Sequence, residues 1–160
     1  ILQIVHLIDT DGAFIPDNLV KTRTEKGIQY FEDHIETGEV KYIQERNQKK
    51  SSVVASLCST GKMKSSIPYS IYYFSRNMEH VLHNVATELT DDQKVELADA
   101  FADRYEENPM DFVAFIESEE VAVPGGYTQT WTFIREGTNS LNRHSNLRIL
   151  FEQENLKSTD

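Results

Sequence analysis

Apolar positions open the chain in a nearly unbroken run, Leu2 to Ile8, which stops at Asp9-Thr10-Asp11-Gly12. A short apolar run closed by an Asp-Gly breaker predicts a buried strand, central in its sheet. Thr22 with Glu25 three residues on matches a capping box, and Ile28, Phe31 and Ile35 follow at helical spacing before Gly38. That pattern predicts a helix, and strand followed by helix is the first half of an α/β unit. Val40 to Gln44 reads as a short strand, whereas Ser51 to Cys58 fits strand and helix equally through Val53, Val54 and Leu57.

The stretch "PYSIYYF", Pro68 to Phe74, is rich in aromatic and β-branched residues, and Met78, Val81, Leu82 and Val85 then recur at helical spacing. A second strand-to-helix junction is expected there. Thr90 with Gln93 forms another capping box ahead of Leu97, Phe101 and Tyr105, with Asp91 and Asp92 suited to the positive end of the helix dipole. Asn108-Pro109 starts a further helix with Phe112, Phe115 and Ile116 on its apolar face, and Pro124-Gly125-Gly126 interrupts the chain beyond it. "YTQTWTFI" alternates as a strand does, and the closing "LNRHSNLRILFEQ" takes no assignment. The expected fold class is α/β: one domain over residues 1–160, with a central, largely parallel sheet flanked by helices and an acidic helical part at 88–120. Because the chain starts at Ile1 without lead-in to its first strand, we expect a fragment lacking an N-terminal strand.

Length and composition are consistent with this. A chain of 160 residues, 39% of them hydrophobic, can bury a sizeable core within one domain. The single cysteine, Cys58, excludes a disulfide framework and a cysteine-based zinc site within one chain. It sits in an apolar run as a packed thiol is expected to, and a reducing, cytoplasmic location follows. No run of about 18 apolar residues is present and the N-terminus lacks a signal-peptide pattern, so no membrane partner is expected.

The net charge of −10 argues against broad, non-specific binding to nucleic acid, but the charge is uneven. Glu88 to Glu120 holds twelve acids against Lys94 and Arg104, whereas Lys41 to Lys64 holds six bases against Glu45. The basic stretch is a limited patch where nucleic acid would meet the chain, and the acidic helices are a surface for a protein partner. Two solvated faces of opposite sign account for the same counts.

Chemistry concentrates at the two strand-to-helix junctions. Asp9 and Asp11 follow the first strand, where open α/β sheets form their ligand crevice. Two carboxylates at that spacing repel each other unless a cation intervenes, and Mg²⁺ (or Mn²⁺) is suited to few protein oxygens completed by water and substrate phosphate. An Asp-Gly turn, with Asp9 no more than a cap for the next residues, is the plainer alternative. At the second junction Arg76, Glu79 and His83 share one helical face and are candidates for a phosphate contact, an acid and a base, although such pairs also decorate ordinary helix surfaces. Asn139, Asn142, Arg143, His144, Asn146 and Arg148 form a polar cluster suited to phosphate or to a loop. Lys49 and Lys50 read as exposed lysines that would steer an anionic substrate. No Walker loop, dinucleotide fingerprint or nucleophile elbow occurs.

The pair "IVHLIDTDG" and "IPYSIYYFSRNMEHVLHN" resembles the Toprim-like proteins of the RloB and OLD-nuclease kind. In that family a buried strand ends in an Asp-x-Asp that binds Mg²⁺, and a later strand enters a helix bearing Phe, Glu and His. Asp9 and Asp11 match the first element; Phe74, Glu79 and His83 match the second with shifted spacing. The resemblance spans roughly residues 1–85 and implies a metal-dependent nuclease, with a further acidic ligand from a strand upstream of Asp-x-Asp. "LIDTDGAF" also resembles the first motif of haloacid-dehalogenase-type phosphatases, with Ala13 in place of Thr. That likeness implies Asp9 as phosphoryl-accepting nucleophile, Asp11 as general acid, and Thr60 and Lys62 as later motif residues. A non-catalytic interaction protein is the third reading.

Overall fold

Ile71 to Ser75 are all buried, an unbroken run that a strand covered on both faces requires. In the computed structural model, which describes residues 2–158, this run lies within the longest strand and organises the molecule. In chain order the elements are β1 (Ile4–Asp9), β2 (Val20–Thr22), β3 (Ile28–Tyr30), β4 (Ile35–Thr37), α1 (Val40–Cys58), β5 (Lys62–Met63) and β6 (Ile67–Ser75). They continue with α2 (Met78–His83), α3 (Asp91–Tyr105), α4 (Pro109–Glu117), α5 (Tyr127–Ile134), β7 (His144–Ser145) and α6 (Arg148–Ser158). Short 3-10 turns occupy Asp17–Leu19 and Asn139–Leu141.

Two small sheets result. β1 runs parallel to β6, Ile4 opposite Tyr69 and Asp9 opposite Phe74. β5 and β7 pair antiparallel with the start and the end of β6, and because Phe74 faces both Asp9 and Ser145 they take its other edge. In the second sheet β4 is central, parallel to β2 and antiparallel to β3. The fold is therefore mixed α/β and partly parallel.

Side-chain alternation along β6 divides the core. Tyr69, Ile71 and Tyr73 face Val54 of α1 and Trp131 and Ile134 of α5. Tyr72 and Phe74 face Val81 of α2, Ile116 of α4, and Leu147 and Ile149 at the start of α6. A third cluster, Ile15, Val20, Ile35, Ile43 and Leu141, joins the small sheet to α1. Among the described residues no helix is long and apolar enough to cross a membrane.

Four expectations are corrected. β1 is not central: among the described residues it pairs with β6 alone, and Leu2, Ile4 and Leu7 remain exposed. Thr22 to Gly38 is not a helix but the end of β2 followed by β3 and β4 with their turns. Period two, Ile28 with Tyr30 and Ile35 with Thr37, outweighs the apparent helical spacing once Gly27 adopts φ +94°. Val40–Gln44 is the first part of the helix that also takes Ser51–Cys58, burying Ile43, Asn47 and Val54 on one face. "YTQTWTFI" is α5: Gln129 Oε1 accepts the Gly126 N–H at 2.6 Å, and Thr130, Trp131 and Ile134 turn inward, so capping and helical spacing override strand propensity. The strand at Pro68–Phe74 and the helices α2, α3 and α4 lie where expected, with both halves of the Thr90–Gln93 capping box formed.

Candidate functional site

Parallel pairing brings the C-terminal ends of β1 and β6 side by side. Beyond the ladder, Thr10 N–H donates to the Phe74 carbonyl at 3.0 Å and Asp11 N–H to the Arg76 carbonyl at 2.8 Å. The residues of both sequence junctions therefore meet at one end of the sheet. Asp11 and Gly12 then take φ +49° and +64°, and Ala13 N–H returns to the Thr10 carbonyl at 2.9 Å. This is a turn with two left-handed central positions, where Asp and Gly are the tolerated residues. The fully buried Thr10 anchors it by donating its hydroxyl to the Ser140 carbonyl at 3.1 Å. "DTDG" is thus a turn, and one that holds two carboxylates at the sheet end.

The electrostatics of the tip are those of crowded acids. Burial, then Asp11, then Glu79 push the Asp9 carboxyl up to about 6, against the opposing influence of the Met78 N–H and of Lys50. Asp11 forms an ion pair with Lys50, and Arg46 donates to the Asp11 main-chain carbonyl at 3.0 Å. The other arm of Arg46 reaches the Tyr30 hydroxyl at 3.1 Å, tying the small sheet to the tip. α1 presents both cations because Arg46 and Lys50 flank its buried positions Ile43, Asn47 and Val54.

Of the residues singled out by sequence, the structure brings Asp11 and Glu79 within electrostatic reach of Asp9. Arg76 stands beside them but faces away: it is buried, donates to the Ala86 carbonyl at 2.7 Å and lies over the Tyr30 ring, 5.1 Å from its centroid. His83 packs edge-on against Phe101 of α3; burial lowers its pKa while the field of Glu79 opposes that shift. Its neighbour His80 is buried with Nδ1 unpartnered, and burial together with Arg76, Arg143 and His144 pushes it down to about 4.

The polar cluster near the C-terminus serves the scaffold. Arg143 donates to the His80 and Val81 carbonyls and pairs with Glu120, Arg148 donates to the Val123 carbonyl, and Asn146 accepts the Tyr73 N–H at 2.9 Å. The carbonyls of Asn139 and Asn142 accept from the Ser75 hydroxyl, and His144 sits edge-on to Phe133. Thr60 and Lys62 belong to the far end of the sheet, where Lys62 pairs with Pro68 near the start of β6. The phosphatase-type set therefore does not assemble around Asp9.

Sequence reasoning missed Arg46 and Tyr30, and Lys50, expected as an exposed lysine, is partly buried in its pair with Asp11. The signal was present as helical spacing from Ile43 through Asn47 to Val54, but it disappears if Val40–Gln44 is taken as a strand. Beside the tip, Arg76 and Asn77 form part of a groove of about 1000 Å³ whose other walls are the β2–β3 loop, β3 with Phe31, residues 37–39 at the end of β4, and residues 86–88. Among the described residues no three His, Cys, Asp or Glu side chains converge as a metal cage. The acids at the tip are Asp9 and Asp11, with Glu79 acting on Asp9 and Lys50 paired to Asp11. Compared with protein-family models, curated proteins and solved structures, the chain matches none.

Proposed function

We propose that the β1 tip is a divalent-cation-dependent phosphoesterase site that cleaves a phosphodiester in nucleic acid, in the manner of the Toprim-like nucleases that the chain resembles. One observation carries this reading: the parallel pairing of β1 with β6 sets Asp9 and Asp11 at the sheet end beside the start of α2, and burial with the Asp11 and Glu79 carboxylates raises the pKa of the Asp9 carboxyl there. That field is what a bound cation relieves.

Asp9 and Asp11 would hold Mg²⁺ or Mn²⁺, which when bound supplies Lewis-acid polarisation of a phosphate oxygen. Lys50, already paired with Asp11, offsets charge that develops on the phosphate. Glu79 is the carboxylate left to accept a proton from attacking water, with His83 coupled to it electrostatically. Arg76, the candidate phosphate contact, is turned from the tip and serves instead as part of the neighbouring groove wall. The exposed Lys41, Lys49, Lys62 and Lys64 extend positive charge along and beyond α1, toward which a nucleic-acid backbone is drawn.

Incubating the protein with labelled single- and double-stranded oligonucleotides tests this reading. We expect cleavage with Mg²⁺ or Mn²⁺, none with chelator, and loss of at least about a hundredfold in Asp9→Asn or Asp11→Asn. Hydrolysis of an aryl phosphate without oligonucleotide cleavage would support the phosphatase reading instead. The non-catalytic reading draws on exposed Val95 and Met110 among the acids of α3 and α4, a surface suited to a protein partner; it requires the double Asn variant to retain that binding.

A further inference from the structure

The groove beside the carboxylates has a composition unlike theirs. Its lining includes Tyr30 and Phe31 with Gln29 and Asn77, and the buried Arg76 guanidinium lies over the Tyr30 ring. It adjoins the tip through two links: the Arg76 carbonyl accepts the Asp11 N–H, and Arg46 holds the Tyr30 hydroxyl in one arm and the Asp11 carbonyl in the other. The Tyr30 wall thus lies within one guanidinium span of the Asp11 backbone.

We propose that this groove receives the nucleoside portion of a nucleotide whose phosphate is engaged at the Asp9–Asp11 tip. The proposal rests on the phosphoesterase reading and narrows its substrate to a terminal or single nucleotide. Three features point to a nucleoside and away from more phosphate backbone. The volume, about 1000 Å³, accommodates a ligand of that size. Aromatic rings with neighbouring amides supply what base recognition uses, a stacking surface and donors and acceptors for a base edge. The exposed rim carries Glu25, Glu39 and Glu88 against Lys26, a balance that repels a continuing polyanion and tolerates an uncharged base and sugar. Arg76, itself part of the groove lining, lies over the Tyr30 ring and holds it in place.

The test is calorimetric titration with AMP, ribose 5-phosphate and adenosine, with and without Mg²⁺, together with adenosine mapping by amide NMR shifts. With Mg²⁺ we expect AMP to bind at least about tenfold more tightly than ribose 5-phosphate, the gain from one stacking contact. Tyr30→Ala should remove that gain, while Tyr30→Phe, which keeps the ring, keeps it. Because Tyr30→Ala also releases Arg46 and Arg76, the native protein supplies an independent readout: adenosine should shift the amides of Gln29, Tyr30, Phe31 and Asn77, and should do so equally in Asp9→Asn. Equal affinity for AMP and ribose 5-phosphate, or adenosine shifts absent from these residues, would overturn the proposal. Adenosine seated in the groove with no Mg²⁺-dependent phosphate binding would support the groove and remove the phosphoesterase reading. Mg²⁺-dependent phosphate binding without adenosine shifts would do the reverse.

Discussion

Asp9 is the residue at which stability and the proposed cation site pull in opposite directions. Its carboxyl is pushed from an ordinary 3.8 up to about 6, so the folded state binds the proton more tightly than the unfolded chain does. The stabilisation linked to that proton is complete below pH 3.8 and is lost as pH rises through 6. Asp9→Asn should therefore raise Tm at pH 7.5 relative to the native protein, with the difference shrinking toward pH 4, as thermal melts across that range would show. Lys50 acts in the other direction. It partly offsets the tip's acids, and Lys50→Met should lower the proposed phosphoesterase activity by about tenfold or more while costing no more than about 1 kcal/mol of stability, since the pair is partly solvated. Gly12 is constrained twice over: at φ +64° a Cβ would stand 2.5 Å from Leu141 Cδ2. Gly12→Ala is expected to destabilise by about 1–3 kcal/mol in chemical denaturation and to displace the Asp11 turn.

Among the helices and strands, what was legible depends on how local each signal is. The capping box at Thr90, the Asn108-Pro109 start and the aromatic run of β6 are each complete within a few residues, and each element forms where those residues place it. The apolar opening of the chain identifies β1 but not its position, because an edge strand with exposed Leu2, Ile4 and Leu7 has the composition of a central one. Residues 22–38 were misleading because three apolar positions fit a helix by chance, while the strands they form are only three residues long and depend on pairing with one another. For the site, Asp9 and Asp11 were visible as a turn motif, and their meeting with Glu79 required only that two strand ends be adjacent. Arg46 and Tyr30 required knowing that α1 and the small sheet pack together, which no local pattern encodes. α2 offers a check of its own. Asn77 caps it by accepting the His80 N–H at 2.8 Å, and the helix keeps His80 buried and neutral. Its imidazole pKa is depressed from 6.5 to about 4, so the unfolded chain gains the proton first and stability is lost as pH falls between those values. His80→Phe should flatten the acid limb of the stability profile in that window.

Across the molecule as a unit, charge is sorted by layer. The acids of α3 and α4 stand on the side of β6 covered by α2 and α4, while α1, on the opposite face, carries Arg46 and Lys50 to the tip. A net charge of −10 would repel a phosphate substrate from most directions, and the cationic helix leaves one approach open. Binding of an oligonucleotide is accordingly expected to weaken steeply with added salt, and to be weaker at any given salt in Lys41→Gln/Lys49→Gln, with a shallower slope because fewer counterions are released. Everything proposed for the tip depends on its two carboxylates holding a divalent cation. Calorimetric titration of Mg²⁺ and Mn²⁺ into the native protein and into Asp9→Asn/Asp11→Asn at pH 7.5 decides whether they do. Saturable binding that the double substitution abolishes is the expected result. No binding, or binding indifferent to the substitution, would contradict it and reduce Asp9-Thr10-Asp11-Gly12 to a turn.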